Sequence, residues 1–412
     1  MVGPHSAHSQ RTPRTRAEES DAAMLRIAVL ARMGLKQEEI ATQENTSVST
    51  VARALSRARE EGILGESLPL VHLALPELDR IAATITDPRL TRRLADRLES
   101  EGVARVRVIP AARGRPLESA RRVAAFTADL LTADLSLAAQ NPHVLGVTGG
   151  MMPRHIVDLC ALPAIDPELL TLVALGGERL LAPDIAGARA AAQASANRLI
   201  ADLALRLGVP DRHVWRFGPP PRLPRALLAD EPGLAALRAD LEADSTVRGI
   251  LGPQLRGPDR PLPMIDRVDT VFTSVQALAA ADGREAGAPS WLDLPARAAA
   301  ELAAAGVAGV WNGHLLAPRD ADPGCRRLVA AENRLATGAS PVDLRRVADR
   351  ARPQFLRGRG VVVAAAGPRV AGALRALIAH GAVNELVIAS DTAVALHEEL
   401  GLESAPAERK VG

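Results

Sequence analysis

The 412 residues include 47% hydrophobic side chains, enough to fill the cores of about two or three domains. No apolar run approaches the ~20 residues of a membrane span, and the N-terminus lacks the apolar stretch of a signal peptide, so a cytoplasmic protein without a membrane partner is expected. The formal net charge of +2 is too small to argue for nucleic acid in bulk, and the two cysteines, Cys160 and Cys325, are far apart without metal-ligand spacing, which argues against a disulfide framework or a zinc site.

Residues 1–19 mix Ser, His, Pro, Thr and Arg with almost nothing apolar, and read as a disordered tail whose Arg11, Arg14 and Arg16 could brush phosphates. A domain over 20–65 follows. Met24, Ile27, Ala28 and Ala31 recur at helical spacing within Asp21–Arg32, with Leu25 and Leu30 widening the face. Gly34 stops that helix, Lys36–Thr42 forms a second with Ile40 and Ala41 inward, and QENT makes a turn. Ser47 is a natural N-cap for a third helix from Val48 to about Glu60, with Val51 and Leu55 inward and Gly62 as its stop.

A helix placed this way suits the DNA major groove, about 12 Å wide, with its N-terminal residues toward base edges. Ser47, Val48, Ser49, Thr50 and Arg53 are the candidates there, while Arg57 and Arg59, one or two turns on, are placed for phosphates. The alternative is an ordinary helical hairpin with a solvated charged face.

Residues 66–86, interrupted by Pro69 and Pro76, read as a linker, either an ordered pairing helix or a spacer. From 87 to 403 strand and helix patterns alternate as in a Rossmann-like, mainly parallel α/β domain, with 404–412 left as a tail. Strands are expected at Ala104–Ile109, His143–Val147, Leu169–Leu175, His213–Phe217, Val268–Val275 and Val307–Trp311. Helices are expected at Leu90–Leu98, Ser119–Leu131, Ala188–Leu207, around Leu234–Ala243 and at Ala296–Ala304. GVVVAAAG, RVAGALRALIAHG, NELVIAS and DTAVALHEEL form the closing strand–helix–strand–helix unit.

In an open parallel sheet, ligands sit outside the carboxyl ends of the strands. Three loops fall there. GVTGGMM presents Thr148, Gly149, Gly150 and Met151 at the entry to a helix, where free backbone N–H groups can meet an anion such as a sugar phosphate. ALGGE adds Gly176 and Gly177, and AAGPR adds Gly367 and Arg369, the latter able to pair with a phosphate. Purely structural glycines and a solvated arginine are the competing account. No Ser/His/Asp order or GxSxG is present; His155 and His314 lie near these loops without an orienting partner, Asp184 and Asp391 nearby read as N-caps rather than acid–base groups, and no cofactor or metal is called for.

EEIATQENTSVSTVARALSRAREEGIL resembles the DNA-binding segment of the SorC family of sugar-responsive transcriptional regulators, in which a QEEIA-like stretch, a turn, a Ser, a V-x-R-x-L core and an AREEG ending succeed one another. Here these are Gln37–Ala41, Ser47, Val51, Arg53, Leu55 and 58–62, with Ala52 where the family commonly has Ser. The resemblance continues more weakly to the C-terminus. GVTGG stands at the family's phosphate-binding loop, with Gly149 for a usual Trp and Met152 for a usual Thr. LVALGG matches a strand ending in Gly-Gly. AGVAGVWNGHLLAP has Val310 and Ala317 for two acidic residues, and Arg369 stands in for a typical lysine.

The resemblance implies a sugar-phosphate-isomerase-like domain used for sensing, in a homodimer or homotetramer that reads a roughly palindromic double-stranded operator. The departures fall where effector is normally contacted, so a changed ligand is open. The expected function is a DNA-binding regulator responding to a sugar or sugar phosphate. The rivals are an isomerase-like enzyme with an appended DNA-binding segment, and a DNA-binding protein without a ligand.

Overall fold

The computed structural model describes residues 16–61, 63–64, 86–112, 114–178, 192–252, 262–278, 296–351 and 358–401. The tail arginines Arg11 and Arg14, the stop Gly62, almost all of the 66–86 linker, Asp184 and the 404–412 tail lie outside them. The chain divides into two compact units, 1–71 and 72–412.

The first unit holds α1 (Arg16–Arg32), α2 (Gln37–Gln43) and α3 (Val48–Glu60). The helix expected from Asp21 thus begins at Arg16. Met24, Ile27, Leu30, Ile40, Val51 and Leu55 are buried together, as 3.6-residue spacing requires of three short helices sharing one core. Asn45 adopts a positive φ of 49° in the turn between α2 and α3, a conformation that asparagine tolerates because its side chain satisfies the local backbone. Ser47 caps α3 by accepting the Thr50 N–H at 3.1 Å.

The second unit is α/β. It runs α4 (Pro88–Leu98), β1 (Arg105–Ile109), α5 (Pro116–Leu135), β2 (His143–Val147), α6 (Met151–Leu159), β3 (Leu170–Ala174), α7 (Ala196–Leu207), β4 (Val214–Trp215), α8 (Glu231–Ala243) and α9 (Ser245–Leu251). Then follow β5 (Thr270–Thr273), α10 (Ala296–Ala304), β6 (Gly309–Trp311), β7 (His314–Leu316), α11 (Pro323–Asn333), α12 (Pro341–Ala351), β8 (Gly360–Ala365), α13 (Ala371–Ala379), β9 (Glu385–Ala389) and α14 (Ser390–Glu399).

Seven strands form one parallel sheet, as the alternating pattern predicts; their order is β1-β9-β8-β5-β2-β3-β4. GVVVAA and ELVIA are buried at every residue, because helices cover both faces of a parallel sheet. The expected strand at 213–217 contracts to Val214–Trp215, an edge position with one neighbour. The long helix expected over Ala188–Leu207 is broken at 194–195: residues 192–193 are helical, and a new helix starts at Ala196, where Ser195 accepts the Arg198 N–H at 3.2 Å; residues 188–191 fall outside the description. The strand expected at Val307–Trp311 is β6, but it pairs with β7 in a separate antiparallel hairpin rather than joining the sheet; the sequence pattern did not predict α9, α11, α12 or β7. Among the described residues no helix is long and apolar enough to cross a membrane.

Candidate functional site

In the first unit, the N-terminal end of α3 is presented outward. Val48 is 41% exposed, although apolar, and Ser49 and Arg53 are exposed beside it. Ser47 spends its hydroxyl on the cap and lies 2.9 Å from the hydroxyls of both Ser49 and Thr50. The Arg53 guanidinium reaches back to Thr50 Oγ1 at 3.4 Å, which lays it along the helix surface. Arg57 is exposed but engaged: it pairs with Asp21 and Glu61, each at 2.6 Å, and those bonds, Glu61 foremost, raise its pKa further. Arg59 makes no ion pair with a described residue.

In the second unit, β2, β3 and β4 run outward to one edge of the sheet. The chain then returns to lay β5 on the other side of β2, and β8 and β9 follow toward the opposite edge. The order therefore reverses between β2 and β5, and the carboxyl ends of these strands part to form a crevice. A cavity lies there. Gly149 after β2, Gly177 after β3, Ser274 and Gln276 after β5, Ser195 at the head of α7 and Asn312 at the hairpin tip are among its lining residues.

The GVTGG and ALGG loops are thus brought together, with each residue in a distinct role. Thr148 is turned inward: it is 1% exposed, and its hydroxyl lies 2.7 Å from that of Thr273, which also accepts Trp311 Nε1–H at 2.7 Å. The Gly150 N–H donates to the Ala194 carbonyl at 2.8 Å, and Met151, half-buried, opens α6. A side chain at Gly177 would collide with the Pro219 carbonyl, so glycine is required by close approach of backbone. A Cβ at Gly176 would sit 2.5 Å from Asn312 Oδ1.

The AAGPR loop does not join them. β8 is separated from β2 by β5, and Arg369 lines a second cleft together with Arg319, Arg375, Asp320 and Glu399. The Gly367 carbonyl accepts the Thr392 hydroxyl at 3.2 Å. Arg375 is held by both oxygens of Glu101, at 2.9 and 2.7 Å.

Ser195, Ser274, Gln276 and Asn312 escaped the sequence reading. For Asn312 a signal existed: Asn-Gly between the apolar residues of VWNGHLL marks a two-residue hairpin. Asn312 and Gly313 have φ of 47° and 85°, and the Asn312 amide donates to the carbonyls of Leu175 and Ala339 at 2.8 and 3.1 Å. The other three residues bear no local mark of their place.

Neither His314 nor His155, the histidines singled out near these loops, is shown in an acid–base pair there. His314 is buried, within 3.2 Å of the Gly338 carbonyl, and burial pushes its imidazole down to about 4. Burial also lowers His155. Asp391 accepts the neighbouring Thr392 N–H at 2.7 Å in the first turn of α14. Among the described residues no group of three or more His, Cys, Asp or Glu could hold a metal ion.

No family model matches the sequence, and no curated protein matches it. Solved structures do share the fold. A domain of a possible sugar-binding transcriptional regulator from Arthrobacter aurescens is 16% identical, covering 76% of this chain and 98% of that one, with a TM-score of 0.52. A domain described as the sugar-binding domain of a transcriptional repressor from Vibrio fischeri is 15% identical, covering 76% of this chain and 100% of that one, with a TM-score of 0.51. The full-length sorbitol operon regulator SorC from Klebsiella pneumoniae is 14% identical over 92% of this chain and 99% of its own, with a TM-score of 0.49. At these identities the likeness to the first two is one of fold.

Proposed function

We propose that this chain, sharing its α/β fold with domains of that kind, is a DNA-binding transcriptional regulator rather than an enzyme, and that a sugar or sugar phosphate bound to the α/β unit modulates its grip on an operator. The observation that carries the reading is the pairing, in one chain, of a capped helix with an outward N-terminal end and a sheet whose switch-point crevice contains a cavity. Val48, Ser49, Thr50 and Arg53 are the proposed base-reading residues, Val48 offering an apolar surface to a thymine methyl. Ser47 contributes by holding the helix start, and Arg57 and Arg59 by reaching phosphates. The loops around Thr148–Met151 and Gly176–Gly177 form the proposed effector site.

Two such helices on a cytoplasmic homodimer or homotetramer would read a roughly palindromic site. The ligand acts by binding DNA-competent and incompetent arrangements with different affinity, since equal affinity would shift nothing. Arg53→Ala should relax base preference at one position, costing about 1–3 kcal/mol there, while Arg59→Ala should weaken binding to all sequences and lower the salt slope by about one. Binding-site enrichment with both variants, with titrations at several salt concentrations, tests this. Unchanged site selection by the Arg53 variant would refute the base-reading role.

A further inference from the structure

The cavity between the ends of β2 and β5 differs from what a phosphate requires. A phosphate dianion held away from water needs cations or several unspent N–H donors, because a buried charge left without partners is costly. The two helix N-termini at this cavity keep some N–H groups, those of Met151, Met152, Ala196 and Asn197, but each has also spent or lost part of its set. The Gly150 N–H is already bonded to the Ala194 carbonyl, Pro153 in the first turn of α6 carries no N–H, and the head of α7 is capped by Ser195. Gly149 packs against the same Ala194 carbonyl, to which a Cβ would come within 3.1 Å.

The side chains at the wall are hydroxyls and amides. Ser274 and Gln276, partly buried, make no side-chain hydrogen bond to a described residue and so are free to donate and accept. Asn312 has committed its amide N–H groups to Leu175 and Ala339, which leaves its Oδ1 as an acceptor. Among the described residues lining the cavity none is charged; of the charged groups bonded to them, Glu178 Oε1 accepts the Ser195 hydroxyl at 3.4 Å, and Arg222, which donates to the Gly313 carbonyl at 3.1 Å, is paired with Glu332. Arg369, the cation expected for a phosphate, lies instead in the second cleft.

We infer that the cavity recognises an uncharged polyhydroxy compound, a sugar or polyol, in preference to its phosphate ester. Hydroxyl groups donate and accept at once, so they can answer the free Ser274 and Gln276 together with the acceptor on Asn312. An ester would bring its negative charge against that acceptor, where among the described residues no lining side chain is a cation to pair with it. This rests on the sensing role proposed above and specifies its ligand class.

The test uses the full-length protein with matched pairs, each triose-to-hexose sugar or polyol beside its phosphate ester, and with inorganic phosphate alone. Thermal unfolding and calorimetry should show an uncharged member raising Tm and binding at least about tenfold more tightly than its ester, with no protection by inorganic phosphate. Gln276→Leu should weaken that ligand at least about tenfold and leave the unliganded Tm unchanged. An ester that binds as tightly as its parent, protection by inorganic phosphate, or full affinity in the Gln276 variant overturns the inference while the sensing role stands. If no member of any pair stabilises the protein or alters release of operator DNA, both fall.

Discussion

Burial decides the charge of His314. Its imidazole, against the Gly338 carbonyl and pushed down from 6.5 to about 4, stays neutral in the folded chain where the unfolded chain would protonate it. Between those two values the unfolded state binds the extra proton, so stability falls as pH falls through that window and is unaffected by this group above it. The depression corresponds to a loss on the order of 3 kcal/mol once pH is below about 4. Denaturant unfolding at pH 7 and pH 4.5 should show His314→Gln, which retains an N–H for Gly338, losing less between the two than the parent. Burial lowers His155 and His380 as well, so the informative quantity is the difference between variant and parent. At the same scale, Arg57 and Arg59 look interchangeable in sequence. In the fold Arg57 ties α3 to Asp21 and Glu61, and Arg59 has no such tie to a described residue.

Among the elements, the β6–β7 hairpin is the one on which the cavity depends. Its two central residues both have positive φ, which matches the right-handed twist of the flanking strands. It is fastened from three sides. Asn312 bonds to Leu175 and Ala339, Trp311 donates to Thr273, and Asn333 on α11 both donates to and accepts from the Leu315 backbone at 2.9 and 2.7 Å. Gly313 is held by backbone, since a Cβ there would come 2.5 Å from the Pro221 carbonyl. Asn312→Gly keeps the turn and deletes only the amide bonds. It should cost about 1–2 kcal/mol in urea unfolding and weaken sugar binding by more than that loss of stability alone explains. A variant with normal ligand affinity would remove Asn312 from the site.

Over the whole molecule, the two ends of the sheet carry different chemistry. At the amino ends a buried network crosses strands. His143 Nε2 lies 2.7 Å from Asp134 Oδ2, Thr270 Oγ1 donates to Asp134 Oδ1 at 3.2 Å, and Arg359 donates to Glu385 at 2.8 Å while Arg107 pairs with the same carboxylate. These contacts connect β1, β9, β8, β5 and β2 with the C-terminal part of α5. Such a network adds little net stability, because desolvation offsets most of the attraction. Removing one partner is another matter. Glu385→Gln should destabilise by about 3–5 kcal/mol in urea unfolding, while the folded fraction keeps the ligand affinity of the parent, since the cavity lies at the other end. A loss below about 1 kcal/mol would show the network to be dispensable.

What the chain determines locally could be read from the sequence alone. The three N-terminal helices, the cap at Ser47 and the buried strands GVVVAA and ELVIA follow from residue spacing and side-chain type, because each is settled by neighbours within a turn or a strand. The α/β class followed from the alternation of such segments, and the GVTGG and ALGG loops from their place at strand ends. What neighbours in space decide was beyond reach. Strand order set β3 beside β2, which joined Gly149 to Gly177, and put β5 between β2 and β8, which sent Arg369 elsewhere. Ser274, Gln276 and Asn312 became cavity residues only when segments more than thirty positions apart came together. A periodic pattern records which face of an element is buried, but the character of a cavity depends on which donors and acceptors remain unspent after folding. That is set by pairings such as Gly150 with Ala194, which only the tertiary structure makes.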